Sequence, residues 1–366
     1  MDPLDAIVIG GGPAGATAGR RLAEAGARVL ILEKGPLGRD KPCGGGLTSR
    51  AWRALDVDVA TTVRSVVTHA DVRYGTEHRA LIPLGSDVVR MVLRRDFDRV
   101  LVDAAADAGA RVHTGETAVA VEMDARGATV STARASYRSR FLVIATGGEG
   151  ALRSAAGLPV PRSHPAPAIE IEAPVREAPL DANAVILDFA IPDGYAWVFP
   201  KGEVWNVGVV STNRSVGPRL RSLLGAFLRD IGIVFEVSST SRAVTGRRIP
   251  MWHGATRMYC GHAVAVGDAG GFADPLFGEG ITQALLSGRW AADAVVVALG
   301  SRSGDLSPVE ARVGLRTVSH LRRMRVIARG AYAHPALSVR VLHRSRTVRR
   351  LARRVAFVGP RTTLAA

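Results

Sequence analysis

Three glycines spaced Gly10-x-Gly12-x-x-Gly15, with Glu33 eighteen residues beyond the last, are residues whose types and spacing can hold a dinucleotide. The first glycine permits a tight turn. The second lets a pyrophosphate approach the backbone, and the third lets a helix pack closely on a strand. An apolar run at residues 6–9 predicts a buried strand before the turn, and residues 13–25 predict a helix after it. That helix start, Pro13-Ala14-Gly15, turns unpaired N–H groups and a positive dipole end toward a phosphate. A second apolar run, residues 28–32, ends on Glu33, placed for ribose hydroxyls, with Lys34 beside it as a further cofactor contact.

Four later motifs narrow the kind of dinucleotide. Arg94-x-x-Phe97-Asp98 opens a helical pattern, and the apolar residues from Phe141 run into the glycine turn at Gly147. Ala265-Val-Gly267-Asp268-Ala-Gly-Gly and Pro275-x-x-Gly278-Glu279-Gly280-Ile281 follow. In this order they resemble the cofactor-binding elements of flavoproteins with the hydroxylase-type FAD fold. The resemblance implies that Arg94 reaches the FAD, that Asp268 bonds its ribityl chain, and that the Pro275–Ile281 turn faces the pyrimidine edge of the isoalloxazine. A helix start there can stabilise negative charge on reduced flavin.

Two further stretches resemble one family. Lys41-Pro-Cys43-Gly44-Gly45-Gly-Leu47-Thr and Gly194-Tyr195-Ala-Trp197-Val-Phe199-Pro200-Lys are similar to motifs of the geranylgeranyl reductases, FAD enzymes that saturate double bonds in isoprenoid chains. The resemblance covers roughly residues 5–300 and departs at Gly148-Glu149-Gly150, where relatives carry Asp-Gly. It implies that Cys43, Gly44 and Gly45 lie against the flavin, and that the substrate is an isoprenoid lipid or prenyl diphosphate. NAD(P)H or ferredoxin would be the electron donor.

Such a reaction makes specific demands. A trisubstituted alkene has no carbonyl to polarise, so hydride transfer to one carbon calls for protonation of the other in a dry pocket. Cys43, Tyr195 or a held water are the candidate acids, with Cys43 alternatively serving as pocket lining. Tyr195, Trp197 and Phe199 alternate along one strand, so all three face one side and form either ordinary core or the wall of a substrate channel. The alternative activity is a single-component flavin monooxygenase or halogenase acting on a hydrophobic or aromatic metabolite. A halogenase would want a lysine between flavin and substrate, and this chain has three lysines in all. A flavin-binding membrane-associated protein without turnover is the third reading.

The elements needed to position these residues define an α/β chain. A Rossmann-type FAD-binding domain (1–165, returning at 256–305) is interrupted by an antiparallel-sheet substrate domain (166–255) and followed by a basic helical C-terminal region (306–366). Helices are expected at 93–109 and 280–299, and alternating strands at 168–172, 185–189 and 205–210.

With 366 residues, 47% of them hydrophobic, the chain can bury a large core. Two cysteines give no disulfide framework and point to a reducing compartment. The first residues leave no room for a signal peptide, and no apolar run reaches the roughly 18 residues of a membrane span. Cys260 and His262 have no metal-ligand spacing around them, so no metal is expected. The formal charge of +15 is concentrated in the tail, where fourteen arginines and no acidic residue follow residue 310. Residues 321–329 and 339–357 have helical spacing. In the second stretch Val341, Val348, Leu351 and Val355 oppose Arg344, Arg346, Arg349, Arg350 and Arg353. That pattern suits an anionic membrane surface, giving a cytoplasmic protein in peripheral contact with the inner face of the cell membrane. A solvated helical face is the alternative. No nucleic-acid motif accompanies the arginines, so nucleic acid is not an expected partner.

Overall fold

The computed structural model describes residues 4–174, 180–233, 244–301 and 304–358. Strand β1 (Leu4–Ile9) is apolar and buried, helix α1 (Pro13–Glu24) follows, and the chain returns as β2 (Val29–Glu33). The turn between β1 and α1 requires glycine. Gly10 has φ +106°, and a Cβ there would stand 2.4 Å from the Ala145 carbonyl oxygen. A Cβ on Gly15 would stand 1.9 Å from the carbonyl oxygen of Gly10. Pro13 opens α1, where its missing N–H is no loss.

Further along the chain lie a hairpin of β3 (His69–Tyr74) and β4 (His78–Pro83), then α2 (Arg94–Asp107), β5 (Arg111–Thr114) and β6 (Ser136–Ile144). Among the described residues the first sheet has eight strands. Its parallel core runs from Ala263–Ala265 through β6, β1 and β2 to β5, so the sequence-distant returning segment pairs directly with β6. This doubly wound arrangement gathers the C-terminal ends of β1, β6 and Ala263–Ala265 on one edge, where such sheets bind ligands.

The second sheet uses β7 (Ser163–Pro174), β8 (Ala184–Asp188), β9 (Gly194–Lys201), β10 (Val204–Ser211) and β11 (Thr245–Trp252). Its order is β11-β7-β10-β9-β8-β3-β4. The β3–β4 hairpin enters it through a parallel pairing of β3 with β8. Residues 69–83 therefore belong structurally to the sheet expected from 166–255, because the unpaired edge of β8 accepts them.

Helix α3 (Ile281–Ser301) packs on α1 beneath the first sheet. It is long and apolar enough to cross a membrane by length and composition, and 56% of its most apolar window is buried inside the protein. The tail forms α4 (Ser319–Ala333), α5 (Pro335–Arg344) and α6 (Arg346–Arg353). The helical run expected over 339–357 is broken at Ser345, whose side chain caps α6 by accepting from Val348 N at 3.2 Å. The break rotates the apolar pattern. Val339 and Phe357 are buried against the second sheet, while Val341 and Leu351 are exposed.

Candidate active site

One cavity joins the ligand edge of the first sheet to the inner face of the second. On the first side it is lined by Gly12, Pro13 and Ala14 at the start of α1, by Gly147, by Gly267 and Asp268, and by Gly278, Glu279, Gly280 and Ile281. Cys43, Gly44, Gly45 and Arg94 line it from the middle, and Tyr195, Trp197 and Phe199 from the second sheet. Gly10 and Gly15 shape the turn beneath, and Pro275 opens the loop whose later residues reach the cavity.

Glu33 lies under that turn, with Oε2 accepting from Gly11 N at 2.7 Å and Oε1 from Gly35 N at 3.0 Å and Arg39 Nε at 3.1 Å. Burial alone would raise its carboxyl, but these donors outweigh it and hold Glu33 below the usual range. The result is a fixed carboxylate at the end of β2. Lys34, expected on the cofactor, is at the surface and pairs with Glu149, the residue at which the family motif departs.

Positive charge collects at the α1 end. Arg94 is buried and pairs with Asp98 through Nε–Oδ1 at 2.8 Å and Nη2–Oδ2 at 2.7 Å. Lys41 and Arg247 also line the cavity, and among the described residues neither has a carboxylate within ion-pair distance. Burial, then the charges of Arg94 and Arg247, push the Lys41 amine down to about 8. The N-terminus of α1 has no capping side chain and no acid in its first turn. Uncompensated cations beside free helix N–H groups are the complement of a diphosphate, so this donor set fits the pyrophosphate of FAD. Across the cavity Glu279 accepts from Thr282 N at 2.7 Å, acting as a cap for α3. Asp274 holds the preceding turn, its Oδ1 accepting from Leu276 N at 2.8 Å and Phe277 N at 2.9 Å.

The aromatic side is an ordered stack. Ring centroids are 5.8 Å apart for Tyr195–Trp197 and 6.3 Å for Trp197–Phe199. Trp197 Nε1 donates to Asn206 Oδ1 at 2.8 Å, fixing the indole. The Tyr195 hydroxyl donates to the Phe277 carbonyl at 2.5 Å. Burial raises its phenol far above the ordinary value, and the nearby Asp274 and Cys43 add to the effect. Its proton is therefore committed to a backbone oxygen, and the group is a weaker acid than a free tyrosine. Cys43 is held by its peptide groups: N donates to Glu170 Oε1 at 2.8 Å, and the carbonyl accepts from Lys201 Nζ at 2.8 Å. Its sulfur accepts from Gly45 N at 3.4 Å.

Sequence reasoning passed over Lys41, Glu170, Lys201, Arg247, Phe277 and Phe357. Lys41 and Lys201 stood inside quoted motifs, and Glu170 reads as an ordinary polar position of the alternating run at 168–172. Phe357 carried no local signal; it reaches the cavity only because the tail folds back, with its ring centroid 6.3 Å from that of Phe277.

The family described as FAD binding domain matches residues 3–200. A geranylgeranyl diphosphate reductase from Rhodobacter capsulatus is 31% identical over 81% of this chain and 76% of its own length. A digeranylgeranylglycerophospholipid reductase from Thermoplasma volcanium is 31% identical over 84% and 81% respectively. The crystal structure of a geranylgeranyl bacteriochlorophyll reductase-like protein from Thermoplasma acidophilum superposes with TM-score 0.80 at 25% identity, covering 94% of this chain and 92% of that one. With the Gly10–Gly15 turn, the cationic α1 end and the aromatic strand meeting in one cavity, these likenesses make the chain an FAD-dependent oxidoreductase that belongs to the geranylgeranyl reductase family.

Proposed function

We propose that this enzyme saturates carbon–carbon double bonds of an isoprenoid chain carried by a lipid or diphosphate head. The observation that supports this reading is the continuity of the cavity: the FAD side opens directly onto an apolar surface of Trp197, Phe199, Val185, Leu187, Phe277 and Phe357. A flexible prenyl chain has no polar handle along its length, so its recognition rests on buried apolar area and excluded water. FAD, once reduced by NAD(P)H or ferredoxin, supplies a hydride.

The chain's own residues do the remaining work. The aromatic stack and Phe357 keep water from the reacting carbons. Asp274 and Tyr195 fix the 274–278 turn, and Glu170 and Lys201 grip the Cys43 peptide from opposite sides. The halogenase alternative gains no support from the lysines. Lys41 lies at the α1 N-terminus, and Lys201 is engaged by the Cys43 carbonyl and Glu172.

The tail adds a surface for the lipid phase. Leu337, Val341 and Leu351 are exposed on α5 and α6 among Arg340, Arg344 and Arg350. An anionic membrane leaflet matches both the charge and the apolar side chains.

Reduced holoenzyme, kept anaerobic with a geranylgeranyl lipid, is expected to reoxidise its flavin and release a product heavier by one hydrogen molecule for each bond reduced. A strict requirement for oxygen, with an oxygenated product, would overturn the reading in favour of a monooxygenase.

A further inference from the structure

We propose that Glu170 is the acid that protonates the alkene, a role resting on the reductase reading above. The register places it. Glu170 pairs with Gly208 across β7 and β10, and Gly208 pairs with Trp197 across β10 and β9. Directly paired residues point to the same face of a sheet, so Glu170 and Trp197 share the cavity face and both line it. Gly208 makes room for the indole over the intervening strand: a Cβ there would stand 2.2 Å from Trp197 Cζ2. The indole therefore lies across the intervening strand toward the carboxyl.

The other acids of the cavity are placed for different work. Asp268 lies over Gly280, and Glu279 caps α3, both on the FAD side. The Tyr195 proton is held by the Phe277 carbonyl. Among the described residues Glu170 alone of the cavity carboxyls stands on the second sheet, and it is only 8% exposed. Burial raises its carboxyl above the usual range, against the opposing pull of Lys201, the Cys43 N–H and the Asn206 side chain. The Cys43 N–H engages Oε1. A protonated carboxyl needs only its other oxygen to donate.

The step balances. The alkene π pair takes the proton from Glu170 at the less substituted carbon, forming one C–H bond and breaking the carboxyl O–H. The more substituted carbon, left electron-poor, takes the hydride with its own electron pair. The face of Trp197 stabilises positive charge developing beside it. Glu170 is left as a carboxylate and recovers its proton from solvent on the side of Lys201 and Glu172, where the Glu172 side chain is 41% exposed.

Glu170→Gln tests this, because the amide still accepts from Cys43 N and so preserves the loop. The expected result is normal FAD content with alkene reduction slowed about 10²- to 10⁴-fold, the usual range for a lost general acid. Wild-type turnover should fall as pH rises through the Glu170 carboxyl, while the residual rate of the variant stays flat. An independent readout is the infrared carbonyl stretch of a protonated carboxyl, which should be present in wild-type holoenzyme and missing from the variant. Full activity in Glu170→Gln with loss only in Glu170→Ala would show that Glu170 merely holds the loop, and would overturn the proposal. So would an infrared difference without a protonated carboxyl. If wild-type enzyme reduces no prenyl chain, the reductase reading falls instead, and the infrared difference still decides the state of Glu170.

Discussion

At the scale of single residues, the cavity depends on contacts that no short motif encodes. Gly208 shows this. Its own neighbours read as an ordinary strand, but the Trp197 indole occupies the volume a side chain would fill. Gly208→Ala is expected to destabilise the protein by about 1–3 kcal/mol through overpacking, with a shift in tryptophan emission as the indole is displaced. An unchanged melting temperature and spectrum would count against the placement. Some residues were legible beforehand. Gly10, Gly15 and Glu33 follow from local backbone geometry and a fixed offset, and Tyr195, Trp197 and Phe199 from strict alternation. Glu170 was not, because its meaning comes from a register spanning three strands. The Lys34–Glu149 pair was not legible for a related reason: the two residues lie 115 positions apart.

At the scale of elements, the turn from Asp274 to Gly280 is held by buried ionisable groups with opposite tendencies. Burial pushes Asp274 up from 3.8 to about 6, and pushes His320 down from 6.5 to about 3, with Arg50 and Arg323 adding to the latter. His320 Nε2 stands 3.7 Å from Asp274 Oδ2. The Asp274 contribution to stability declines as pH rises between about 4 and 6, since the folded form holds its proton more tightly than the unfolded form. The His320 contribution rises over about 3 to 6.5, since only the unfolded form is protonated there. The two slopes offset each other. Asp274→Asn keeps an acceptor for the Leu276 and Phe277 N–H groups but removes one slope. Its stability is therefore expected to fall more steeply than wild type from pH 7 to pH 5, by at most about 1.4 kcal/mol per pH unit. Denaturant midpoints at both pH values check this, and parallel declines would refute it. The strands and helices themselves were readable from periodicity. The entry of the β3–β4 hairpin into the second sheet was not, because nothing local records which edge a strand will meet.

At the scale of the whole molecule, the tail is a structural wall as well as a basic surface. Tyr332 donates to the Leu276 carbonyl, Arg53 to that of Val358, and Phe357 lines the cavity. Deleting everything after Gly330 is accordingly expected to abolish prenyl reduction along with any membrane contact. A cleaner separation is Val341→Glu with Leu351→Glu, both exposed and neither lining the cavity. This pair should reduce co-sedimentation with anionic vesicles while sparing turnover of a short, water-soluble prenyl substrate. Equal sedimentation of variant and wild type would remove the membrane surface from the proposal.

Phe357 also sets an order of events during synthesis. Among the described residues every other side of the cavity is contributed by residues up to Ala284, so those sides are made before the segment carrying Ala356 and Phe357. That wall is therefore complete only once the chain has been made through Phe357, and a chain stopped before it would leave the apolar side of the cavity open.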